Sequence, residues 1–124
     1  MPIRVVVPVL ENKGLESIIS EHFGRAPYFM SIDLDEGGNP VNWEAIPNVS
    51  EHFGGVGRPP DRILMLKPNI LITYGMGPRA LNIFQNAGVA VLRAVGETVN
   101  EVLEAFKRGE LEELTEGCLH AQHR

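Results

Sequence analysis

A chain of 124 residues with 44% apolar content is long enough for one domain with a real core and too short for two. Its formal net charge of -5 argues against a general nucleic-acid binder, which needs a basic face. The lone Cys118 excludes an intramolecular disulfide framework and four-cysteine ligation of an iron–sulfur cluster within one subunit, so any metal must lean on histidines, carboxylates or ligands it brings itself.

Ile3 to Leu10 is almost wholly apolar and rich in β-branched residues, the composition of a central strand covered on both faces. It is far too short to span a membrane and lacks a signal-peptide cleavage region, so a cytoplasmic protein with no membrane partner is expected. Glu11 to Pro27 is a long connection, with Leu15 to Ile19 expected to form a helical turn. It ends in Ser20-Glu21-His22-Phe23-Gly24-Arg25-Ala26-Pro27, whose Ser-Glu-His-Phe-Gly words recur at Ser50 to Gly54. The flanks differ, so this is no repeat architecture, which needs several stacked units.

Tyr28 to Leu34 and Pro40 to Ile46 read as the second and third strands, paired antiparallel through the turn residues Asp35-Glu36-Gly37-Gly38-Asn39. Pro47 to Arg58 is a second long loop. Pro59-Pro60 opens a helix that buries Ile63, Leu64 and Leu66 and ends by Lys67, ahead of Pro68. Asn69 to Tyr74 is a fourth, buried strand. Gly75-Met76-Gly77-Pro78 leads into a helix with Ala80, Leu81 and Phe84 inward and Gly88 as its stop. Val89 to Arg93 is the fifth strand. Thr98 and Glu101 make a capping box for the last helix, whose Val99, Val102, Leu103 and Phe106 keep helical spacing up to Gly109. Residues 1–109 form the expected single domain. Residues 110–124 are an acidic stretch anchored only by Leu111 and Leu114, then a polar tail with Cys118, His120 and His123.

This order predicts an α/β three-layer sandwich with a five-stranded mixed sheet of order 3-2-1-4-5, only strand 2 being antiparallel. The loops with His22, His52, Gly75 to Pro78 and Ala94 to Glu97 then meet at one edge, beside a crevice where the chain changes direction. Gly75 and Gly77 would bring a helix N-terminus to an anion, with Arg25 and Arg79 adding charge, although the same glycines could simply make a tight strand-to-helix turn. His22 and His52 could each be a metal ligand or a hydrogen-bonded structural histidine. Cys118, His120 and His123 are close-spaced ligand types without the four-ligand pattern of structural zinc.

His22-Phe23-Gly24-Arg25-Ala26-Pro27-Tyr28-Phe29, the Gly75 to Ala80 turn and the Cys/His-bearing tail together resemble the dinitrogenase iron-molybdenum cofactor biosynthesis family, over most of the chain. The resemblance implies a ribonuclease H-like fold and a non-catalytic role, related to nitrogen fixation. In that role the protein would transiently bind, carry or help assemble an iron-molybdenum or other metal–sulfur cluster, between donor and recipient proteins. It makes His22 a candidate cluster ligand. His52 lies where relatives often have a His-Gly pair, here His52-Phe53-Gly54. Cys118 and His120 join the candidate ligands if the tail folds back, and Arg25, Gly75, Gly77 and Arg79 are the expected second contacts.

Three rivals stand beside it. A two-metal nuclease of this fold needs a carboxylate on the first strand, and Ile3 to Leu10 has none. A nucleotide- or anion-binding module could use Gly75-x-Gly77-x-x-Ala80 with Arg93 on a 2′-phosphate; titrating NADPH against Trp43 fluorescence discriminates it. A cluster-free interaction module could pair its Pro40 to Ile46 edge strand with a partner or form a homodimer, which light scattering would detect.

Overall fold

The computed structural model describes residues 3–49, 54–55 and 57–115. Strand β1 (Ile3–Val9) takes the middle of the sheet because it is apolar on both sides: Val5, Val7 and Val9 enter one core and Val6 the other. It pairs antiparallel with β2 (Tyr28–Leu34), Ile3 opposite Leu34 and Val9 opposite Tyr28, and parallel with β4 (Ile70–Thr73). With β3 (Pro40–Pro47) outside β2 and β5 (Ala90–Arg93) outside β4, the order is β3-β2-β1-β4-β5 and only β2 runs backwards.

Helices α1 (Pro59–Met65) and α2 (Pro78–Asn86) cover one face over Val6, Phe29, Leu71 and Val91. Helix α3 (Val99–Lys107) covers the other over Val7, Met30 and Ile72. The three-layer α/β sandwich is thus the expected one. Among the described residues no helix is long and apolar enough to cross a membrane.

The local signals behave as their chemistry demands. Asp35 Oδ1 accepts from the amides of Asn39 (2.9 Å) and Gly37 (3.0 Å), shaping the β2–β3 turn. Those bonds, the Asn39 amide first, hold its carboxyl below the usual range. Gly88 and Gly109 stop α2 and α3 at φ 78° and 71°. Lys67 leaves α1 at φ 56°, an uncommon conformation for a side-chain-bearing residue, imposed just ahead of Pro68. The Thr98–Glu101 capping box is complete, with the Glu101 amide donating to Thr98 Oγ1 at 3.2 Å. Thr98→Ala is expected to cost about 1 kcal/mol, read as a lower urea midpoint at an unchanged slope; an unmoved midpoint would mean that Glu101 alone holds the helix start.

Two segments fold differently from the local pattern. Leu15 to Ile19 is not a helical turn: a short 3₁₀ turn at Gly14–Glu16 gives way to extended chain. The β-branched Ile18 and Ile19 find partners on both sides there, which a helix would forfeit. Past Gly109 the chain crosses to the outer edge of β5. The Arg93 amide donates to the Glu112 carbonyl and the Leu114 amide to the Val91 carbonyl, both at 2.8 Å, and Leu114 is buried on the α1/α2 side.

Candidate functional site

Strands β1, β3, β4 and β5 all end at one edge, and the loops after them gather there. The crevice expected between β1 and β4 is occupied by the chain itself. Extended residues Ser17 to Ser20 wedge into it: Leu10 N–H donates to Ile18 O (2.8 Å) and Ser20 N–H to Pro8 O (2.9 Å) on the β1 side. Across the gap Ile19 N–H donates to Glu97 O (2.9 Å) and Val99 N–H to Ser17 O (3.0 Å). Ser17 and Ser20 are buried, and Ser17 Oγ accepts from the Lys13 amide at 2.8 Å. The wedge ties β1 to the loop before α3 and fills the space between them.

The wedge delivers the chain to His22. Ser20 Oγ accepts from the His22 amide (3.2 Å) and donates back to its carbonyl (3.0 Å), so the backbone of His22 is pinned while the residue stays exposed. A 3₁₀ turn, Phe23–Arg25, follows. Phe23 packs edge-on against Phe84 of α2, with ring centroids 6.1 Å apart and planes at 75°. Asn48, just past β3, closes the loop from the other side: its Nδ2 donates to the carbonyls of Ala26 (2.8 Å) and Gly24 (3.2 Å), and its amide to Pro27 O (3.0 Å). Arg62 of α1 in turn donates to Asn48 Oδ1 (2.6 Å) and to Gly57 O (2.8 Å). Gly24 itself needs no special conformation; its φ is not positive, and an added Cβ would sit in ordinary contact, 3.7 Å from Pro59 Cγ.

The glycine turn forms the other wall. Met76 is buried; Gly77 is the residue before α2 and sits at φ -69°, ψ 162°, so neither it nor Gly75 is required for a left-handed turn. Pro78 fills the first helical position, and the amides of Arg79 and Ala80 begin the helix without an intrahelical acceptor. Beneath the turn Thr73 is fully buried, and its Oγ1 has no hydrogen-bond partner. Strand alternation puts Thr73 on the side of Leu71, facing the α1/α2 layer.

Charge divides across this edge. Arg25 and Arg79 are exposed on the α1/α2 side. On the α3 side the Tyr74 hydroxyl donates to the Gly96 carbonyl, and burial, followed by the carboxylates of Glu97, Glu101 and Glu21, pushes its phenol above the usual range. Positive charge thus gathers towards the α2 start and negative charge beside Ala94 to Glu97, the loop that the sequence pattern also assigns to the cleft.

Of the sequence-derived candidates, the structure brings His22, Arg25, Gly75, Gly77 and Arg79 to one edge. His52, Cys118, His120 and His123 lie outside the described residues. Among the described residues no group of three His, Cys, Asp or Glu could hold a metal ion. Ser20, Asn48, Arg62 and Thr73 were not singled out by sequence: the Ser20 bonds are a local turn that many serines make, the Asn48–Arg62 pair joins two separate elements, and Thr73 is marked only by its burial.

Residues 4–109 match the sequence profile of the dinitrogenase iron-molybdenum cofactor family. An uncharacterised protein of Methanocaldococcus jannaschii is 29% identical over 111 residues, 88% of this chain and 89% of its own. The crystal structure of the protein PH0822 superposes with a TM-score of 0.74 at 33% identity, covering 91% of this chain and 96% of the other. An NMR structure of a Thermotoga protein described as a candidate NifB protein gives 0.71 at 33% identity, covering 94% and 97%.

Proposed function

The chain belongs to the dinitrogenase iron-molybdenum cofactor family, and on that premise we propose that it binds, carries or helps assemble an iron-molybdenum or related metal–sulfur cluster, as cargo and without catalysing a reaction. The match over residues 4–109 is the observation that carries this reading.

The donor set at the sheet edge suits such cargo. A preassembled anionic cluster brings bridging sulfides, so it asks for one or two protein ligands and several hydrogen-bond donors rather than a full chelating shell. His22 supplies an exposed imidazole on a fixed backbone. Arg25, Arg79 and the first amides of α2 supply donors, and the buried Thr73 hydroxyl lies spare below them. Gly75 and Gly77 keep the approach to those amides free of side chains. His52 is the proposed second imidazole, and Cys118 and His120 are proposed ligands if the tail reaches the cleft. So few ligands give weak, transferable binding, as a carrier between a donor and a recipient protein needs.

The test is anaerobic incubation with iron, molybdate and sulfide, followed by metal analysis and visible absorption. Wild type is expected to retain a coloured cluster. Among the described residues His22 is bonded through its backbone alone, so His22→Ala should leave the melting temperature unmoved. Its cluster retention should fall about tenfold or more, the scale seen when even an outer partner of a metal ligand is lost. No cluster in wild type would sink the function; equal retention by His22→Ala would sink the ligand.

A further inference from the structure

We propose that this chain forms a two-fold symmetric dimer by antiparallel pairing of β3 with β3 of a second copy, centred on Ala45. The sheet has two outer edges, and the chain treats them differently. That of β5 is covered by Glu112 to Leu114 through the two 2.8 Å backbone bonds described above. That of β3 carries no backbone pairing among the described residues, although the Gly14–Glu16 turn packs against the strand and Gly14 lies under the Trp43 indole; β3 is the longest strand, with Trp43 44% exposed. Isolated edges are usually blunted by lysine, inward charges, prolines or bulges; β3 has prolines only at its two ends and an irregularity only near its start, leaving Trp43 to Ile46 open between them. Here the strand's only charge is Glu44.

The register follows from which residues turn their backbone outward. Asn48 N–H points inward to Pro27 O, directly opposite it, so by alternation Ile46 and Glu44 also bond to β2, while Pro47, Ala45 and Trp43 turn their N–H and C=O positions outward. Pro47 has no N–H, and an irregularity opposite Asp33 and Leu34 ends regular pairing beyond Asn42. Two outward donors therefore need acceptors, those of Trp43 and Ala45.

Centring the axis on Glu44 would satisfy both donors but would set Glu44 against Glu44 of the second copy, a like-charge pair at the closest cross-strand spacing. Centring on Ala45 also satisfies both: the Ala45 amides and carbonyls exchange bonds across the axis, and each Trp43 amide donates to the other copy's Pro47 carbonyl. Glu44 then faces Ile46, and each indole lies beside the proline ring of the other copy. Of these two registers, the one centred on Ala45 is free of a like-charge pair. Pairing about an axis normal to the sheet points the two His22 edges in opposite directions, so dimerisation covers neither. The inference is independent of what that edge binds.

Light scattering and sedimentation over about a hundredfold range of concentration test it on the full chain. Wild type should show twice the 13.7 kDa chain mass at the upper end, and its single tryptophan should shift to the red on dilution. Ala45→Pro removes an outward N–H at a sheet edge, where proline is tolerated, and Trp43→Lys sets a lysine on the pairing strand. Each should halve the mass to one chain with an unchanged far-ultraviolet circular dichroism spectrum. Wild type at single-chain mass throughout, or both folded variants at double mass, would overturn the proposal.

Discussion

Phe84→Ala is expected to lower stability by about 3–5 kcal/mol, the range for emptying a fully buried aromatic site. Phe84 is one of the largest side chains with no exposed surface, in the core shared by α2, β4, β5 and the His22 loop. Its ring is also the surface on which Phe23 rests edge-on. The substitution therefore removes core volume and the floor of the loop together. Urea unfolding should show a lower midpoint with an unchanged slope. A double-mutant cycle with Phe23→Ala should return a coupling of about 0.5–1.5 kcal/mol, as for other edge-to-face pairs. A Phe84→Ala cost near that of a single methylene would mean that the loop collapses into the cavity. The His22 edge would then be far more plastic than its bonding indicates.

What the sequence revealed depended on whether the deciding contacts were local. The α3 cap is written in four consecutive residues, Thr98 to Glu101, and forms as written. The hairpin is likewise encoded by Asp35 to Asn39, and the central place of β1 by apolar residues on both faces. The wedge is the contrary case. Leu15 to Ile19 carries a short apolar pattern compatible with helix or strand, and what decides is Ile19 reaching Glu97 and Ser17 reaching Val99, partners some eighty residues distant. Sequence therefore placed His22 and the α2 start at the same edge, through topology, but left a crevice open where the chain in fact fills it. The glycine turn shows the limit of a local signal: Gly77 leads into α2 at φ -69°, ψ 162°, a conformation open to other residues. Leu111 and Leu114 read as anchors from their apolar character alone, whereas the bonding of Leu114 along β5 is backbone chemistry that any residue could supply.

That distinction identifies Asn48 as the residue whose loss should most directly disturb the His22 edge without touching a proposed ligand. Its amide group gives two donors to the carbonyls of Gly24 and Ala26, and its Oδ1 accepts from Arg62 at 2.6 Å, so one side chain joins the loop after β1, the end of β3 and α1. Asn48→Ala removes the side-chain donor from two part-buried carbonyls and one of the acceptors of Arg62, which keeps Gly57 O; the expected loss is about 2–3 kcal/mol, because a group stripped of its partner costs more than the bond it made contributed. Asn48→Asp separates the two halves of the clamp. A carboxylate keeps and strengthens the bond from Arg62 but turns two donors into acceptors facing carbonyl oxygens, so Asn48→Asp should fall close to Asn48→Ala rather than to wild type. Amide hydrogen exchange should locate the damage at His22 to Pro27 in both variants, while α3, on the other face, keeps its protection. If Asn48→Asp matched wild type, the Arg62 contact alone would hold the loop, and the fixed backbone of His22 would have to be credited to Ser20.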